Sequence, residues 1–508
     1  MMYKGGGRVL SFDLGQMNKD DFDAMLEGGV SDIPPNDVVE SVTPWKKASR
    51  RILIGIALCA VTLNLWGLDY ILPAVGTVLM LLGFRSLRHE NTWFGGCFAI
   101  TLIRTAFLFA GLMLNATVMR RTLLNGAAAS ALTAANVLLL FGELFCLWRG
   151  FRAVRIEAGV PPKAGCAAAL ILWHGMVCAL AAVEYKGTAV AVAMLIGFAA
   201  ILFNIHKLSK EIDEVGYSIQ TAPVKVADVW IVSILALTLA VGGISVWLLG
   251  SGYPMDWKAV DSSEHTQVRE IKERLLKLGF PEYVLNDLSS EDIAACEYAV
   301  EVRSETEDVP ANGGRQVIEY VSEGVHSINE SVYDDKELRF TCVGVRLQGD
   351  RESRIIFHHF LWMRNPGFYG TEAIRIFPAY SNDKLGWTSD GNVTGRVLYD
   401  LNGESFAAEY FNDEYTAKAE EFLRERSNGE CVPLAFSFPM QSENQRGYAA
   451  YRIYEGAVEC LVNSTILYTH QRTMFRYPAV TAVEQIASGE PSNGAFITVS
   501  SSFLFFPE

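Results

Sequence analysis

The sequence predicts an α-helical multi-pass membrane bundle of about seven spans, followed by an extracytoplasmic α+β domain that is mainly an antiparallel β-sandwich or jelly-roll. Three observations carry that class. Residues 52–250 form an apolar block broken only by short polar links; near Ala299 the apolar spacing changes from helical to alternating; and the charge divides at the same place. Before Ser251, Lys plus Arg number 20 against 17 Asp plus Glu, whereas from Ser251 onward they number 23 against 40. With 508 residues, 50% of them hydrophobic, and a mean hydropathy of +0.19, the chain has room for two or three domains. The division read from these shifts is a flexible cytoplasmic tail at 1–51, a bundle at 52–250, a helical linker at 251–298 and a β-rich domain at 299–508.

The tail carries the acidic cluster Asp20, Asp21, Asp23 and Glu27 beside the turn formers Gly28-Gly29 and Pro34-Pro35, a composition that cannot bury a core. Short amphipathic pieces at 21–26 and 37–42 offer contacts to a cytoplasmic partner. The first fifty residues are polar and no small-residue cleavage site follows the first apolar run, so that run is expected to act as its own insertion signal.

A helix of about 20 apolar residues, rising ~1.5 Å per residue, covers a ~30 Å hydrocarbon core. The candidate spans are 52–67, 70–84, 93–114, 126–148, 164–183, 188–203 and 226–249. The first two are short: either Arg51 and Arg85 snorkel to the headgroups, or residues 52–84 form a re-entrant hairpin on the cytoplasmic side. Links on one side hold Lys46, Lys47, Arg50, Arg51, Arg85, Arg88, Arg149, Arg152, Arg155, Lys163, Lys207, Lys210 and Lys225; the other side holds Arg120, Arg121, Lys186 and Lys258. By the positive-inside rule the N-terminus is cytoplasmic and the C-terminal domain lies outside. Trp45, Trp93, Trp148 and Trp230 fall at the inner ends and Trp66 and Trp247 at the outer ends, as headgroup anchors would.

The run Pro44-Trp45-Lys46-Lys47 into Ile52, then Tyr70-Ile71-Leu72-Pro73, then Leu82-Gly83-Phe84-Arg85-Ser86-Leu87-Arg88 with Glu90-Asn91, resembles the opening of a group of uncharacterised bacterial multi-pass membrane proteins. The resemblance covers residues 44–91 and implies a bacterial plasma membrane, but no activity.

Small residues recur every fourth position at Gly126, Ser130 and Ala134 and at Ala189, Ala193 and Gly197. Such spacing lets helix backbones approach in lipid, so it predicts a compact bundle. Polar residues within the spans are Arg104 and His174 near mid-depth, Glu143 towards the inner end, and Asn64 and Asn136. A mid-membrane Arg costs at least ~2.5 to 3.5 kcal/mol on insertion scales and needs a partner or a wet cavity; Glu143 is the nearest counter-charge. Arg104, Glu143 and His174 are thus either a substrate or proton path or, in the case of the ion pair, a device fixing helix register. No broken-helix pair or inverted repeat accompanies them.

In the linker, Ser262 or Ser263 caps a helix ending at Leu275-Leu276-Lys277-Leu278, Gly279 stops it, Pro281 opens a second, and Ser289 or Ser290 caps a third. Each has one apolar face to set on the next domain. Strands are read at 315–321, 343–347, 354–363, 373–379, 396–399, 405–411, 434–438, 448–454, 458–468 and 495–506, with Asn402-Gly403 as a two-residue hairpin turn and a helix at 413–426. Cys59, Cys97, Cys146, Cys166 and Cys178 are read as packing residues; Cys296, Cys342, Cys431 and Cys460 are even in number and offer three disulfide connectivities.

His358-His359 invites a metal, but strand neighbours point to opposite faces and cannot share one ion. G-x-S-x-G, H-E-x-x-H and P-loop spacings do not occur, and no cofactor is expected. A pair of glycosidase-like carboxylates has no locatable position among so many acids. The polar stretch 381–395 is read as a loop presenting Trp387, Asp390 and Asn392; an exposed aromatic there stacks on a sugar face or anchors a peptide, or else folds back as the loop's own small core. The acidic domain disfavours nucleic acid. The function expected is therefore a membrane-anchored extracytoplasmic binding or sensing protein with a cell-envelope glycan, peptide or protein as partner. The alternatives are a transporter or transport accessory using the intramembrane polar residues, and a cell-envelope hydrolase.

Overall fold

The computed structural model describes residues 44–60, 67–120, 126–185, 187–215, 217, 226–261, 266–311, 315–320, 327–332, 337–349, 353–366, 370–377, 388–412, 421, 432–454, 462–473, 477–489 and 494–505. These fall into two compact units, one of residues 1–107 and 135–230, the other of residues 108–134 and 231–508. The predicted helix at 413–426 apart from Glu421, together with Trp66, Asn64, Trp387, Cys431 and Cys460, lies outside the described residues.

The N-terminal half is helical: α1 (Pro44–Ala60), α2 (Leu68–Leu87), α3 (Thr92–Leu114), α4 (Gly126–Glu157), α5 (Gly165–Ala182), α6 (Thr188–Glu214) and α7 (Asp228–Gly250). Six helices among the described residues, α2 to α7, are long and apolar enough to cross a membrane, where the sequence predicted about seven. The difference is α1. Its described part has 17 residues, with Lys46, Lys47, Arg50 and Arg51 in the first two turns, and residues 61–66 of the predicted first span lie outside the described residues.

Glycines set α1 against α2. A Cβ on Gly55 would sit 2.5 Å from the Gly76 carbonyl oxygen, and one on Gly83 would sit 2.6 Å from Ile52. Cys59 reaches the Pro73 carbonyl at 3.6 Å. Contacts that descend one helix while climbing the other define an antiparallel hairpin with backbones in near contact, which only residues lacking a side chain permit.

Trp45 corrects a second expectation. Predicted as a headgroup anchor, it is 1% exposed, donates its indole N–H to the Ser209 carbonyl at 3.2 Å and packs edge-on against Phe151 at 5.5 Å. The small-residue stripes are a third. Gly126, Ser130, Ala134, Ala189 and Ala193 are exposed, and a Cβ on Gly197 would meet nothing within 4 Å. The close packing falls instead on Gly55, Gly76 and Gly83, and on Gly150 against the Phe94 ring.

In the second unit, β1 (Lys258–Ala259) leads to three short helices, α8 (Thr266–Lys277), α9 (Glu282–Asp287) and α10 (Ser290–Ala295). Gly279, at φ 93°, stops the helical run just after α8, and the Ser289 hydroxyl caps α10 by accepting from the Asp292 amide at 3.1 Å. The strands follow as β2 (Ala299–Val309), β3 (Arg315–Tyr320), β4 (Ser327–Val332), β5 (Leu338–Leu347), β6 (Ser353–Trp362), β7 (Glu372–Ile376), β8 (Thr388–Leu401), β9 (Glu404–Ala408), β10 (Val432–Phe436), β11 (Glu443–Tyr454), β12 (Val462–Gln471) and, after helix α11 (Ala482–Ser488), β13 (Phe496–Phe505).

All pairings among the described strands are antiparallel. One sheet has the order β1-β9-β8-β11-β6-β5-β2, a second β10-β7-β12-β13, and β3 pairs with β4. Asn402 and Gly403, at φ 53° and 84°, turn β8 into β9 with both central residues left-handed, the geometry the Asn-Gly pair favours.

Alternation decides what each face covers. On β5 and β6, Phe340, Cys342, Ile356, Phe360 and Trp362 face the four-stranded sheet and share a core with Ile374, Phe436, Ile466 and Tyr468. Phe360 lies 5.4 Å from Phe436 and 5.0 Å from Tyr468. Burial of one such ring stabilises by roughly 1.5–3 kcal/mol. The intervening residues Val343, Val345, Ile355 and Phe357 join Ile271, Leu275, Val284, Leu285 and Ile293 of the short helices. The linker helices are thus a layer of the sheet unit, and α11 with Tyr253 covers the second sheet from Ala373 and Ala435.

Candidate functional site

Two buried polar assemblies stand out, one in each unit. In the helical unit, Arg104 on α3 donates to Glu143 Oε2 on α4, and Thr101, one turn before Arg104, donates its hydroxyl to Glu143 Oε1. Glu143 is 1% exposed. Thr101 also bonds the Cys97 carbonyl at 2.8 Å and Thr105 the Thr101 carbonyl at 2.7 Å, so the three residues share one stripe of α3. Both carboxylate oxygens of Glu143 are engaged, so its buried charge sits beside the Arg104 guanidinium in an apolar surrounding.

Among the described residues His174 shares no hydrogen bond with them, although it lies within reach of the Arg104 charge. Its Nδ1 lies 2.9 Å from the Leu170 carbonyl of its own helix, and its ring meets Trp173 at 4.8 Å. Thr101 is the member sequence reasoning missed; its place one turn from Arg104 was the available signal.

In the sheet unit the polar assembly joins the short helices to the seven-stranded sheet. Asp287, at the end of α9, accepts from Arg446 Nε of β11 at 2.7 Å and meets His359 Nε2 of β6 at 2.8 Å. Arg446 also donates to Asp400 of β8 at 2.9 Å, and Arg396 donates to the carbonyls of Asp287 and Leu288 at 2.9 and 3.0 Å. Thr394 and Tyr448 donate to the two oxygens of Asp292. Burial alone would raise the Asp287 carboxyl, but the hydrogen bond and charge of His359, joined by Arg446, outweigh it and hold it below the usual carboxylate range.

His358 faces the other way. Its Nε2 lies 2.6 Å from the Ser464 hydroxyl of β12, and burial alone holds its pKa down to about 3. The two adjacent histidines therefore serve opposite faces of the strand. Among the described residues no group of three or more His, Cys, Asp or Glu is placed to hold a metal ion. Nearby, His470 Nδ1 meets Glu372 at 2.7 Å between β12 and β7, where burial raises the Glu372 carboxyl against the pull of His470.

The loop predicted at 381–395 is corrected in its second half. Asp390 and Asn392 lie on β8, whose register opposite β11 runs from Ser389↔Ile453 to Val393↔Tyr451. Three residues, Asp390-Gly391-Asn392, thus oppose Arg452 alone in a bulge, held where the Ser389 hydroxyl donates to the Arg452 carbonyl at 3.0 Å. Turn-favouring residues are accommodated by bulging inside a paired strand. Cys296 and Cys342 are free thiols, both buried, and burial pushes the Cys296 thiol up to about 12.

Compared with protein-family models and with curated proteins, the chain matches none.

Proposed function

We propose that the chain is an integral protein of a bacterial plasma membrane, with its N-terminus cytoplasmic and its sheet domain outside. In this reading the sheet domain, stacked as a sandwich, binds a cell-envelope glycan, peptide or protein, and the helices serve as anchor and relay. The observation that carries the membrane placement is the apolar surface the helices leave open: Leu172 is 75% exposed, Trp230 66% and Leu249 89%. At ~25 cal/mol per Å² such a surface is costly in water, and a bilayer removes the cost.

Binding with relay is supported by the strap that ties the sheets to the turn after α3. The Tyr477 hydroxyl donates to the Leu112 carbonyl at 3.1 Å, the Ala479 amide to the Asn115 carbonyl at 2.8 Å, and the Val118 amide to the Gly250 carbonyl at 2.9 Å. A ligand that shifts the 477–489 segment moves the chain end of α3 directly.

The test is protease added to cells stripped of any outer barrier, followed by glycan and peptide binding to the intact protein in detergent with and without Trp387→Ala. Fragments from beyond residue 251 with an intact N-terminal tail agree with the placement, and cleavage of the tail overturns it. Binding that is lost in W387A while thermal stability is unchanged supports recognition at 381–395; a lowered melt without loss of binding assigns the ring to structure.

A second reading, a transporter or transport accessory, draws on the buried Arg104–Glu143–Thr101 contact. Loss of solute uptake in Arg104→Gln with retained membrane insertion would favour it.

A further inference from the structure

Several cations at the ends of the helices in the first unit are already engaged. Arg51 and Arg85 both meet Asp228, at 2.7 and 3.0 Å. Arg155 donates to Glu211, to the Pro161 carbonyl and to the Leu208 carbonyl. Arg88 and Arg149 are different. Among the described residues neither guanidinium has a hydrogen bond or a carboxylate partner; each instead lies over aromatic rings. Arg149 sits 5.0 Å from the centroid of Trp93 and 6.0 Å from that of Trp148, and Arg88 sits 5.6 Å from Phe98.

A guanidinium stacked on a ring uses its face and keeps its N–H edge free. The stack is itself supported, because Phe145 meets Trp93 at 5.8 Å and Trp148 at 5.6 Å, both edge-on. The turn carrying Arg88 is tied to the helix carrying Arg149, since Asn91 Nδ2 donates to the Gly150 carbonyl at 3.4 Å and Asn91 Oδ1 accepts from the Phe94 amide at 2.9 Å. The nearby acid Glu90 is buried and already accepts from the Tyr217 hydroxyl at 2.7 Å. Arg152, one turn beyond Arg149, adds an exposed cation.

We propose that Arg149, stacked on Trp93 and Trp148, is a phosphate-binding site filled by the phosphodiester headgroup of an anionic phospholipid, with Arg88 adding positive charge at the same end of α3. The guanidinium fork matches phosphate oxygens; the indoles flanking it suit the headgroup level, where one side is apolar and the other wet; and basic groups between helices on the inner face attract anionic lipid. Free phosphate has the same anionic group but no acyl chains to lie on Phe145, which is 42% exposed. The inference rests on the membrane reading above.

The test uses the full chain in uncharged detergent, with thermal unfolding followed on adding phosphatidylglycerol, phosphatidylcholine or inorganic phosphate. Phosphatidylglycerol is expected to raise the midpoint and phosphatidylcholine not to. Arg149→Gln and the double change with Arg88→Gln are expected to weaken the phosphatidylglycerol effect about tenfold or more in the lipid concentration required. Should Arg149→Gln fail to fold, Arg149→Lys keeps the charge without the fork and is expected to lose part of the effect. An equal response in parent and variants overturns the site, and an equal response to inorganic phosphate overturns the lipid as its occupant. Failure of the parent to insert into vesicles of phosphatidylcholine, with or without phosphatidylglycerol, would instead refute the membrane reading itself.

Discussion

His358 and His359, adjacent on β6, hydrogen-bond in opposite directions: His358 to Ser464 within the core between the two sheets, and His359 to Asp287 beneath the short helices. The pleat separates them, and the separation gives them different acid behaviour. Folded His358 stays neutral down to about 3, whereas an unfolded imidazole binds a proton below 6.5. Between those values the unfolded state holds more protons, so stability falls as pH falls from about 6.5 to about 3. Asp287, depressed in the fold, adds a loss only at lower pH, one that begins as the unfolded carboxyl protonates near 3.8 and is complete once pH falls through the lower folded pKa. The raised Glu372 carboxyl acts with opposite sign, its contribution fading as pH rises through its folded pKa. Unfolding of the sheet unit measured from pH 7 to 4 should steepen with acid, and His358→Gln should flatten that slope while lowering stability at pH 7. An unchanged slope would assign the acid sensitivity elsewhere.

The Arg104–Glu143 contact predicts non-additivity. Arg104→Leu alone strands a buried carboxylate, so it should destabilise more than the double change with Glu143→Leu. A coupling of about 0.5–3 kcal/mol in a double-mutant cycle is expected. Additive effects in detergent unfolding would mean that the two groups do not stabilise one another.

Gly395 marks a backbone constraint in the seven-stranded sheet. Its φ is 142°, and a Cβ there would lie 2.1 Å from the Tyr448 carbonyl oxygen on the paired strand. Gly395→Ala should cost about 2–4 kcal/mol, read as a lowered denaturant midpoint. Gly403→Ala, also at positive φ but with open space around it, should cost less, about 1 kcal/mol.

The Tyr477 strap predicts a local effect. Tyr477→Phe removes the bond to the Leu112 carbonyl, worth roughly 0.5–1.5 kcal/mol. Hydrogen exchange should accelerate several-fold at the Ala479 amide, which donates to Asn115, and remain unchanged at amides of β6. Uniform acceleration would indicate global loss of stability instead.

Local chemistry made much of this protein readable from the chain. Long apolar runs announce helices because hydrophobic length is a property of consecutive residues, and the six that qualify lie where the apolar block lies. The Asn402-Gly403 turn, the Gly279 stop and the Ser289 cap were legible for the same reason: each is decided by residues within one turn. The opposite facing of His358 and His359 followed from strand geometry alone. Tertiary structure decided the rest. Trp45 became core because Ser209, Phe94 and Phe151 surround it, and no local pattern could say so. Asp390-Gly391-Asn392 became a bulge because β11 pairs on either side of it. Asp287 found Arg446 across 159 residues, whereas Arg104 and Glu143, whose contact spans 39 residues, could be paired beforehand from their depth in the apolar runs. Partners as distant as Arg446 are chosen by chain packing, where burying a charge is tolerated only beside its complement.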